Sequence, residues 1–246
     1  MKILFIANNF PPIVDGVGDY TYNIAKQFVG HNHKVYIICK NNPQINTQIQ
    51  DMTILPIIDK WDCNCYKPII KFIKEKAIDI VSLQYVPHGF HPKGLPFPII
   101  KLTREIKKSN TKLFTFFHEV SVEKEKGNIK RTLLSMLMQH ISKRVIENSD
   151  YVATSIEYYK KMILRLAPNK KEIPLIPIAS NIPETKLSKE ELSALKKELA
   201  PNNETIISFF GIRNIQTSID AIVELKEHGY KLKVLLIGKT SKHLPN

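Results

Sequence analysis

The sequence predicts an α/β fold: a Rossmann-like parallel sheet with helices on both faces, followed by a partial second unit of the same kind. Short continuous apolar runs, beginning with KILFIA at 2–7, alternate with segments whose apolar residues recur at helical spacing. Continuous apolar runs are typical of buried parallel strands, and parallel strands are joined by helical crossovers. The pattern begins again at ETIISFFG (204–211), which indicates the second unit.

Seven strands and five helices are expected in the first unit. The strands are KILFIA (2–7), KVYIIC (34–39), MTILPI (52–57), IDIVSLQY (78–85), KLFTFF (112–117), YVATS (151–155) and EIPLIPI (172–178). Apolar periodicity predicts helices from Val17 to about Gly30, around 66–77, over 96–108, along Leu133–Val145 and over 156–166. Thr154 and Glu157 have the spacing of a capping box, which predicts the start of the last of these helices.

A linker and a short second unit follow. Residues 179–187 have the composition of a linker, and Ser188 with Glu191 forms a second capping-box pattern. A helix over 215–227 and the strand KLKVLLIG (231–238) complete one strand–helix–strand unit, which at about 45 residues is too small for an independent core. We therefore expect a first domain at 1–180, a linker and helix at 181–203, and the incomplete start of a second domain at 204–246.

The loops that follow the strands are expected to form one crevice. Ligands of open parallel sheets bind at the carboxyl ends of the strands. The loops after residues 7, 85, 117, 155 and 178 should therefore line the same binding site.

Composition narrows the class of protein. The 246 residues carry a net charge of +13, which favours anionic partners such as phosphorylated substrates or an acidic membrane surface. No apolar stretch approaches the length of a membrane span, and the first apolar run is too short for a signal peptide. Cys39, Cys63 and Cys65 lack the paired spacing of a metal site and are expected to be reduced thiols, which predicts a cytoplasmic protein without a cysteine-bound metal.

A glycine loop opens the first helix. Gly16-Val17-Gly18 lies in PPIVDGVGDYTYNIAKQF (11–28), directly behind the first strand. Glycine lets the backbone approach a ligand closely, and a helix N-terminus offers unpaired N–H groups to an anion. The loop lacks the third glycine of the dinucleotide fingerprint and the Gly-Lys-Ser/Thr of a P-loop. Spacing alone leaves two alternatives open: a phosphate-binding loop of another kind, or a simple helix cap.

Five segments in order resemble one enzyme family. PPIVDGVGDYTYNIAKQF resembles the Pro-x-x-Gly-Gly-Val-Gly-x-Tyr loop of family 4 retaining glycosyltransferases, which have the two-domain GT-B fold and use nucleotide-sugar donors. SLQYVPHGFHPKGLP resembles a loop of that family, FTFFHEV its histidine motif and IPIASNIP its interdomain junction. ISFFGIRNIQTSIDAIVEL resembles the opening of its nucleotide-binding second domain. The resemblance spans nearly the whole chain.

The resemblance implies a role for each matching residue. Gly16, Val17 and Gly18 would face the donor diphosphate, with Arg213 contributing from the second domain. His118 and Glu119 would be catalytic, with His118 contacting the donor sugar. The remaining implied positions belong to the acceptor-side loops: Asp19, Tyr20, Gln84, Tyr85 and His88.

The chain departs from the family pattern in three places. Asp15 stands where the family usually has a glycine before Gly16. In the second domain, Ile212 and Thr217 occupy the positions of the family's diphosphate-binding arginine and lysine, which leaves Arg213 as the nearby cation. No Glu-x₇-Glu segment in the context that this motif has in the family, well inside the second domain, occurs before Asn246. These departures put the donor site in question.

The resemblance implies a retaining transfer of a hexose from a nucleotide-diphosphate sugar to a polysaccharide or glycolipid acceptor, with the donor as a substrate and no cofactor or catalytic metal. Because the departures leave much of the donor site missing, we expect this chain alone to be inactive or very weak. The alternatives are a non-catalytic half-enzyme that needs a partner chain and, from the glycine loop alone, a nicotinamide-dependent oxidoreductase. Basic clusters at 101–112 and 160–171 have two explanations. Each is a solvated helix face or, as the resemblance implies, a surface for peripheral contact with an anionic membrane at its inner face. No nucleic-acid recognition module occurs among these elements.

Overall fold

The computed structural model describes residues 1–49, 51–170, 172–182, 184–211 and 216–238. The chain divides into two compact units, Met1–Asn181 and Ile182–Asn246. The first unit holds a sheet of seven strands, and the second holds a sheet of two. The predicted α/β class with a Rossmann-like parallel sheet is confirmed.

The sheet of the first unit is parallel except at one edge. Its strands are β1 (Lys2–Ile6), β2 (Lys34–Lys40), β3 (Gln48–Ile49), β4 (Met52–Ile58), β5 (Ile80–Tyr85), β6 (Lys112–Phe117) and β7 (Tyr151–Thr154). They lie in the order β3-β4-β2-β1-β5-β6-β7, and only the short β3 is antiparallel to its neighbour. The pattern search did not predict β3, because two residues are too few to show a period.

Among the described residues of the first unit, five helices lie between these strands and a sixth follows β7. They are α1 (Gly16–Gly30), α2 (Tyr66–Lys76), α3 (Pro87–Phe90), α4 (Phe97–Lys108), α5 (Ile129–Asn148) and α6 (Glu157–Leu166). Each long helix begins within a few residues of its prediction except α5, whose first turn precedes Leu133. None of the described helices is long and apolar enough to cross a membrane.

Apolar residues of the sheet fill two cores. Leu4 and Ile6 of β1 belong to the larger core, which also contains apolar residues of α2, α4, α5 and α6. Ile3 and Phe5 point to the other face and pack with Ala25 of α1. This alternation along β1 is the two-residue period of a strand covered on both faces.

Two local predictions are wrong. Residues 172–178 form no full strand: Leu175 makes a single parallel bridge to Thr154, since the prolines at 174 and 177 cannot donate to a ladder. The capping box at Thr154 is also absent: Thr154 is the last residue of β7, two residues before the N-cap of α6, and its hydroxyl donates to the carbonyl oxygen of Phe117 at 2.8 Å. Ile156 is the N-cap of α6 and has no side-chain cap.

The second unit contains α7 (Lys189–Leu199), β8 (Thr205–Phe210), α8 (Gln216–Glu227) and β9 (Leu232–Ile237), with β8 and β9 paired in parallel. The predicted capping box is confirmed: the Ser188 hydroxyl accepts from the Glu191 amide, and the Glu191 carboxylate accepts from the Ser188 amide.

Candidate active site at the carboxyl edge of the sheet

The loop after β1 and the loop after β6 meet at the carboxyl edge of the sheet. Asn9 and Asp15 lie between β1 and α1, and His118 directly follows β6. The backbone N–H of His118 donates to the carbonyl oxygen of Tyr85 at 3.0 Å, which aligns the end of β6 with the end of β5. The strand ends therefore bring together residues that lie about a hundred positions apart in sequence.

The N-terminus of α1 is capped by its own side chain. One carboxylate oxygen of Asp15 accepts from the amides of Val17 at 2.9 Å and Gly18 at 2.8 Å. The other oxygen accepts from the side-chain amide of Asn9 at 2.8 Å. The carboxylate thus takes two of the N–H groups that a helix N-terminus offers to an anion. Of the three glycine-loop amides, those of Val17 and Gly18 are already bonded.

The two glycines of the loop have different surroundings. Gly16 is exposed, and a Cβ added there would meet nothing within 4 Å. A Cβ on Gly18 would lie 3.0 Å from the backbone oxygen of Asn9, closer than an ordinary van der Waals contact. Gly18 is therefore needed for packing between α1 and the loop after β1, whereas Gly16 is open to a ligand.

His118 is held by a chain of hydrogen bonds from β5. The amide nitrogen of Gln84 donates to the Ser82 hydroxyl at 2.8 Å, and its carbonyl oxygen lies 3.0 Å from His118 Nε2. Because a carbonyl oxygen only accepts, the neutral ring carries its proton on Nε2 and keeps Nδ1 as an acceptor. The ring also makes edge contacts with Tyr20, at 4.9 Å between centroids, and with Phe116, at 4.7 Å.

Burial sets the protonation state of these rings. It lowers the pKa of His118 from its ordinary value to about 4, an effect that the negative charge of Asp15 partly opposes. His118 is therefore neutral at pH 7 and acts as a hydrogen-bonding group. Burial also raises the pKa of the neighbouring Tyr20 to about 12, so the phenol keeps its proton.

Two further contacts connect predicted residues at this edge. The carboxylate of Glu119 lies 3.7 Å from Nδ1 of His88, and both side chains are partly exposed. Asp19, in the first turn of α1, accepts from the side-chain amide of Asn181 at 3.0 Å. The segment that follows β7 therefore reaches the start of α1, as the arrangement of strand ends predicts.

The side chain of Tyr85 does not face the candidate site around His118 and the start of α1. It is fully buried on the opposite face of the sheet from Gln84, where it stacks against Phe90 and makes a tilted ring contact with Phe117. Its hydroxyl lies 3.5 Å from that of Ser142 on α5. The prediction that Tyr85 lines the acceptor side is corrected: successive strand residues point to opposite faces, so only one of Gln84 and Tyr85 can face α1.

The implied contribution of the second domain lies largely outside the described residues. Arg213 and Ile212 are not described, nor is the side chain of Thr217. Within the described part of the chain, no group of three or more His, Cys, Asp or Glu side chains is arranged to hold a metal ion.

Sequence reasoning missed three supporting residues. Asn9 and Ser82 orient Asp15 and Gln84, and Asn181 binds Asp19. Asp15 was identified only as a departure from a family pattern, although an aspartate just before a helix is a strong N-cap preference and could have predicted its bonds. Contacts such as Asn181 to Asp19 join distant segments and leave no local pattern.

No family model matches the chain, and no curated protein matches it. Many solved structures share its fold. A glycosyltransferase from Rickettsia africae ESF-5 aligns with 98% of this chain and 61% of its own, with a TM-score of 0.63 at 19% identity. The catalytic domain of starch synthase IV from Arabidopsis thaliana, bound to ADP and acarbose, covers 98% of this chain and 75% of its own, with a TM-score of 0.62 at 11% identity.

A third similar structure is that of a putative epimerase. A putative UDP-N-acetylglucosamine 2-epimerase from Listeria monocytogenes covers 98% of this chain at a TM-score of 0.54 and 12% identity. The chain spans less than two thirds of the Rickettsia and Listeria proteins, 61% and 63% of their lengths. At these identities the likeness shows the fold, which is that of GT-B glycosyltransferases. Membership of family 4 is not shown.

Proposed function

We propose that the chain forms the acceptor-side domain and part of the donor-binding domain of a family 4-like retaining glycosyltransferase. The reaction would transfer a hexose from a nucleotide-diphosphate sugar to a polysaccharide or glycolipid. The observation that carries the proposal is the meeting of the α1 N-terminus with a neutral, oriented His118 at one edge of a GT-B-type sheet. No cofactor and no metal are part of it.

The residues of this edge would work by positioning and charge stabilisation. A neutral His118 suits a hydrogen bond to a sugar hydroxyl, because Nδ1 accepts while Gln84 holds the other ring nitrogen. Glu119 with His88, and Asp19 with Asn181, offer carboxylates for acceptor hydroxyls. The developing charge on the diphosphate leaving group would be met by the α1 N-terminus. Arg213, our candidate cation of the second domain, lies outside the described residues.

The Asp15 carboxylate would compete with a bound diphosphate for the amides of the glycine loop. A diphosphate can approach the amide of Gly16 directly, but it reaches those of Val17 and Gly18 only if the carboxylate releases them. The carboxylate also repels an anion at the helix N-terminus, an effect worth about 1 kcal/mol. Asp15 should therefore weaken diphosphate binding relative to a glycine.

The test is a titration of UDP, GDP and ADP into the purified chain, followed by NMR at the Gly16 amide and the His118 ring. We expect both signals to shift, and Asp15→Gly to tighten binding about fivefold by removing the charge and freeing two amides. Asp15→Asn is the matched control, because it removes the charge but keeps a capping oxygen. Absence of shifts in all three proteins would overturn the proposal, and a response to NAD(H) alone would favour the oxidoreductase.

A second candidate is a non-catalytic half-enzyme that requires a partner chain. It is favoured by large apolar side chains exposed in the second unit, including Phe210 at 70% and Val223 at 49%. Both candidates predict that the 246-residue chain alone is inactive or nearly so. Turnover of any nucleotide sugar by the purified chain would contradict that expectation, whereas activity only on adding a second polypeptide would support the half-enzyme.

A further inference from the structure

The first half of α5 exposes an apolar stripe to solvent. Ile129 is 84% exposed, Leu133 56% and Met136 54%. Their spacing of four and three residues places them on one face of the helix. The core of the unit takes the opposite face, which carries Met138 and Ser142. The exposed stripe is therefore not needed to pack α5 against the sheet.

Basic residues surround this stripe. Residues 123–144 contain six lysines and arginines and only two acidic residues, Glu123 and Glu125. All four lysines of this segment are exposed and form no ion pair among the described residues. They are Lys124, Lys126, Lys130 and Lys143. The two arginines, Arg131 and Arg144, pair with Glu125 and Glu147.

The basic cluster predicted at 101–112 has a different character. Lys108 pairs with Glu105 at 2.8 Å, Lys112 lies 3.3 Å from Asp150, and Lys107 donates to the carbonyl oxygen of Glu147 at 2.9 Å. Lys107 and Lys112 thus hold α4 and β6 to neighbouring segments, and Lys108 is paired within α4. They are less free than the lysines near α5 to meet an external anion.

The second predicted cluster, at 160–171, is also partly engaged. Lys170 donates to the carbonyl oxygen of Ser149 at 2.8 Å, and Lys171 lies outside the described residues. Neither predicted cluster combines unpaired lysines with a continuous apolar stripe, as the first half of α5 does.

We propose that the first half of α5, together with the loop 123–128 before it, is a docking surface for an anionic lipid bilayer. A helix whose apolar side chains are bordered by lysines suits the membrane interface: the apolar groups enter the acyl boundary and the lysines contact lipid phosphates. A protein partner fits less well, since lysine is depleted in protein–protein interfaces. This surface goes beyond the proposed function and requires no donor.

Hydrogen bonds connect the docking surface to the candidate site. The loop that begins at His118 runs along α5: the Ser142 hydroxyl donates to the carbonyl oxygen of Val120 at 2.7 Å, and the Ser135 hydroxyl to that of Val122 at 2.8 Å. Arg131 Nε donates to the carbonyl oxygen of Glu123 at 3.1 Å. A bilayer bound to α5 would therefore contact the same helix to which the loop that begins at His118 is hydrogen-bonded.

The test is co-sedimentation of the 246-residue chain with vesicles, compared between phosphatidylcholine alone and phosphatidylcholine with phosphatidylglycerol. We expect binding only to the anionic vesicles and its loss at high salt. The double variant Leu133→Gln/Met136→Gln should weaken partitioning about tenfold. The triple variant Lys124→Gln/Lys126→Gln/Lys130→Gln should weaken it by about tenfold or more.

Matched variants supply the controls. Leu192→Gln/Leu195→Gln changes two exposed apolar residues at the same spacing on α7, and Lys67→Gln/Lys71→Gln/Lys74→Gln removes three charges from α2. Both should bind vesicles like the original chain. The proposal is overturned if the original chain does not bind anionic vesicles, or if the α5 variants bind as it does. It is also overturned if the α5 variants abolish only a dimer, measured by light scattering.

Discussion

The candidate site depends on a few side chains whose partners are distant in sequence. Gln84 on β5 orients His118 after β6, and Asn9 orients Asp15. Without Gln84 the partly buried Nε2–H of His118 would have no described acceptor, and leaving a desolvated donor unpaired costs about 1–3 kcal/mol. The side chains that orient His118 and Asp15 are thus as important to the site as those two residues themselves.

At this scale we predict a pH dependence that belongs to His118. Its folded pKa of about 4 lies below its ordinary value of 6.5, so the unfolded chain binds the proton more tightly. This contribution to stability is fully present above pH 6.5 and is lost as pH falls through 4, by up to about 3 kcal/mol. Chemical denaturation at several pH values should show this loss, and His118→Gln should lack that part of the slope. An NMR titration that placed the pKa of His118 near 6.5 would contradict the prediction.

The helix α1 shows how one element combines packing and recognition. Its N-cap, Asp15, satisfies two amides, while its first turn contributes Tyr20 to the His118 environment and Asp19 to the contact with Asn181. Its first two glycines have different roles: Gly18 packs closely against the loop after β1, and Gly16 is open to a ligand.

We therefore predict opposite outcomes for alanine at the two glycines. At Gly18 the added methyl group would meet the backbone of Asn9 at 3.0 Å, and such overpacking costs about 1–3 kcal/mol. This exceeds the helix-propensity gain of glycine to alanine, about 1 kcal/mol at most. Gly18→Ala should lower the free energy of unfolding, and Gly16→Ala should leave it unchanged or raise it slightly. Equal midpoints in urea for the two variants would show that the loop after β1 can move aside.

The two units differ in how much apolar surface they bury. Both hydrophobic cores consist of residues between Ile3 and Ile173. Among the described residues of the second unit, Ala200 is the only buried apolar one. Burial of apolar surface is the main favourable contribution to folding, so the stability of the chain should come from the first unit.

We predict that residues 1–181 fold alone. Thermal melting followed by circular dichroism should give residues 1–181 a midpoint within a few degrees of the main transition of the whole chain. Residues 182–246 alone should show no cooperative transition, because the unit has almost no buried core. A strongly lowered midpoint for residues 1–181 would mean that the second unit contributes to the stability of the first.

Local sequence patterns were enough to predict most strands and helices of the fold. The apolar runs and helical periods located the six parallel strands and the long helices, because each pattern reflects burial of that segment alone. The exceptions have physical reasons: β3 is too short to show a period, and the run at 172–178 contains prolines that prevent a full strand. The loops that contain Gly16, Gly18 and His118 lie at the same edge, as expected, because the carboxyl ends of parallel strands share one edge of the sheet.

The contacts that define the site arise from the tertiary structure. Whether Gln84 or Tyr85 faces α1 depends on the phase of β5 against the two cores, and a strand that is buried on both faces shows no alternation in sequence to reveal that phase. The bonds of Gln84 to His118 and of Asn181 to Asp19 join segments 34 and 162 residues apart. Likewise, the sequence of α5 shows apolar residues on two faces, and only packing against the sheet determines which face remains exposed. Sequence patterns report local burial, whereas hydrogen-bond partners and exposed faces depend on how distant segments meet.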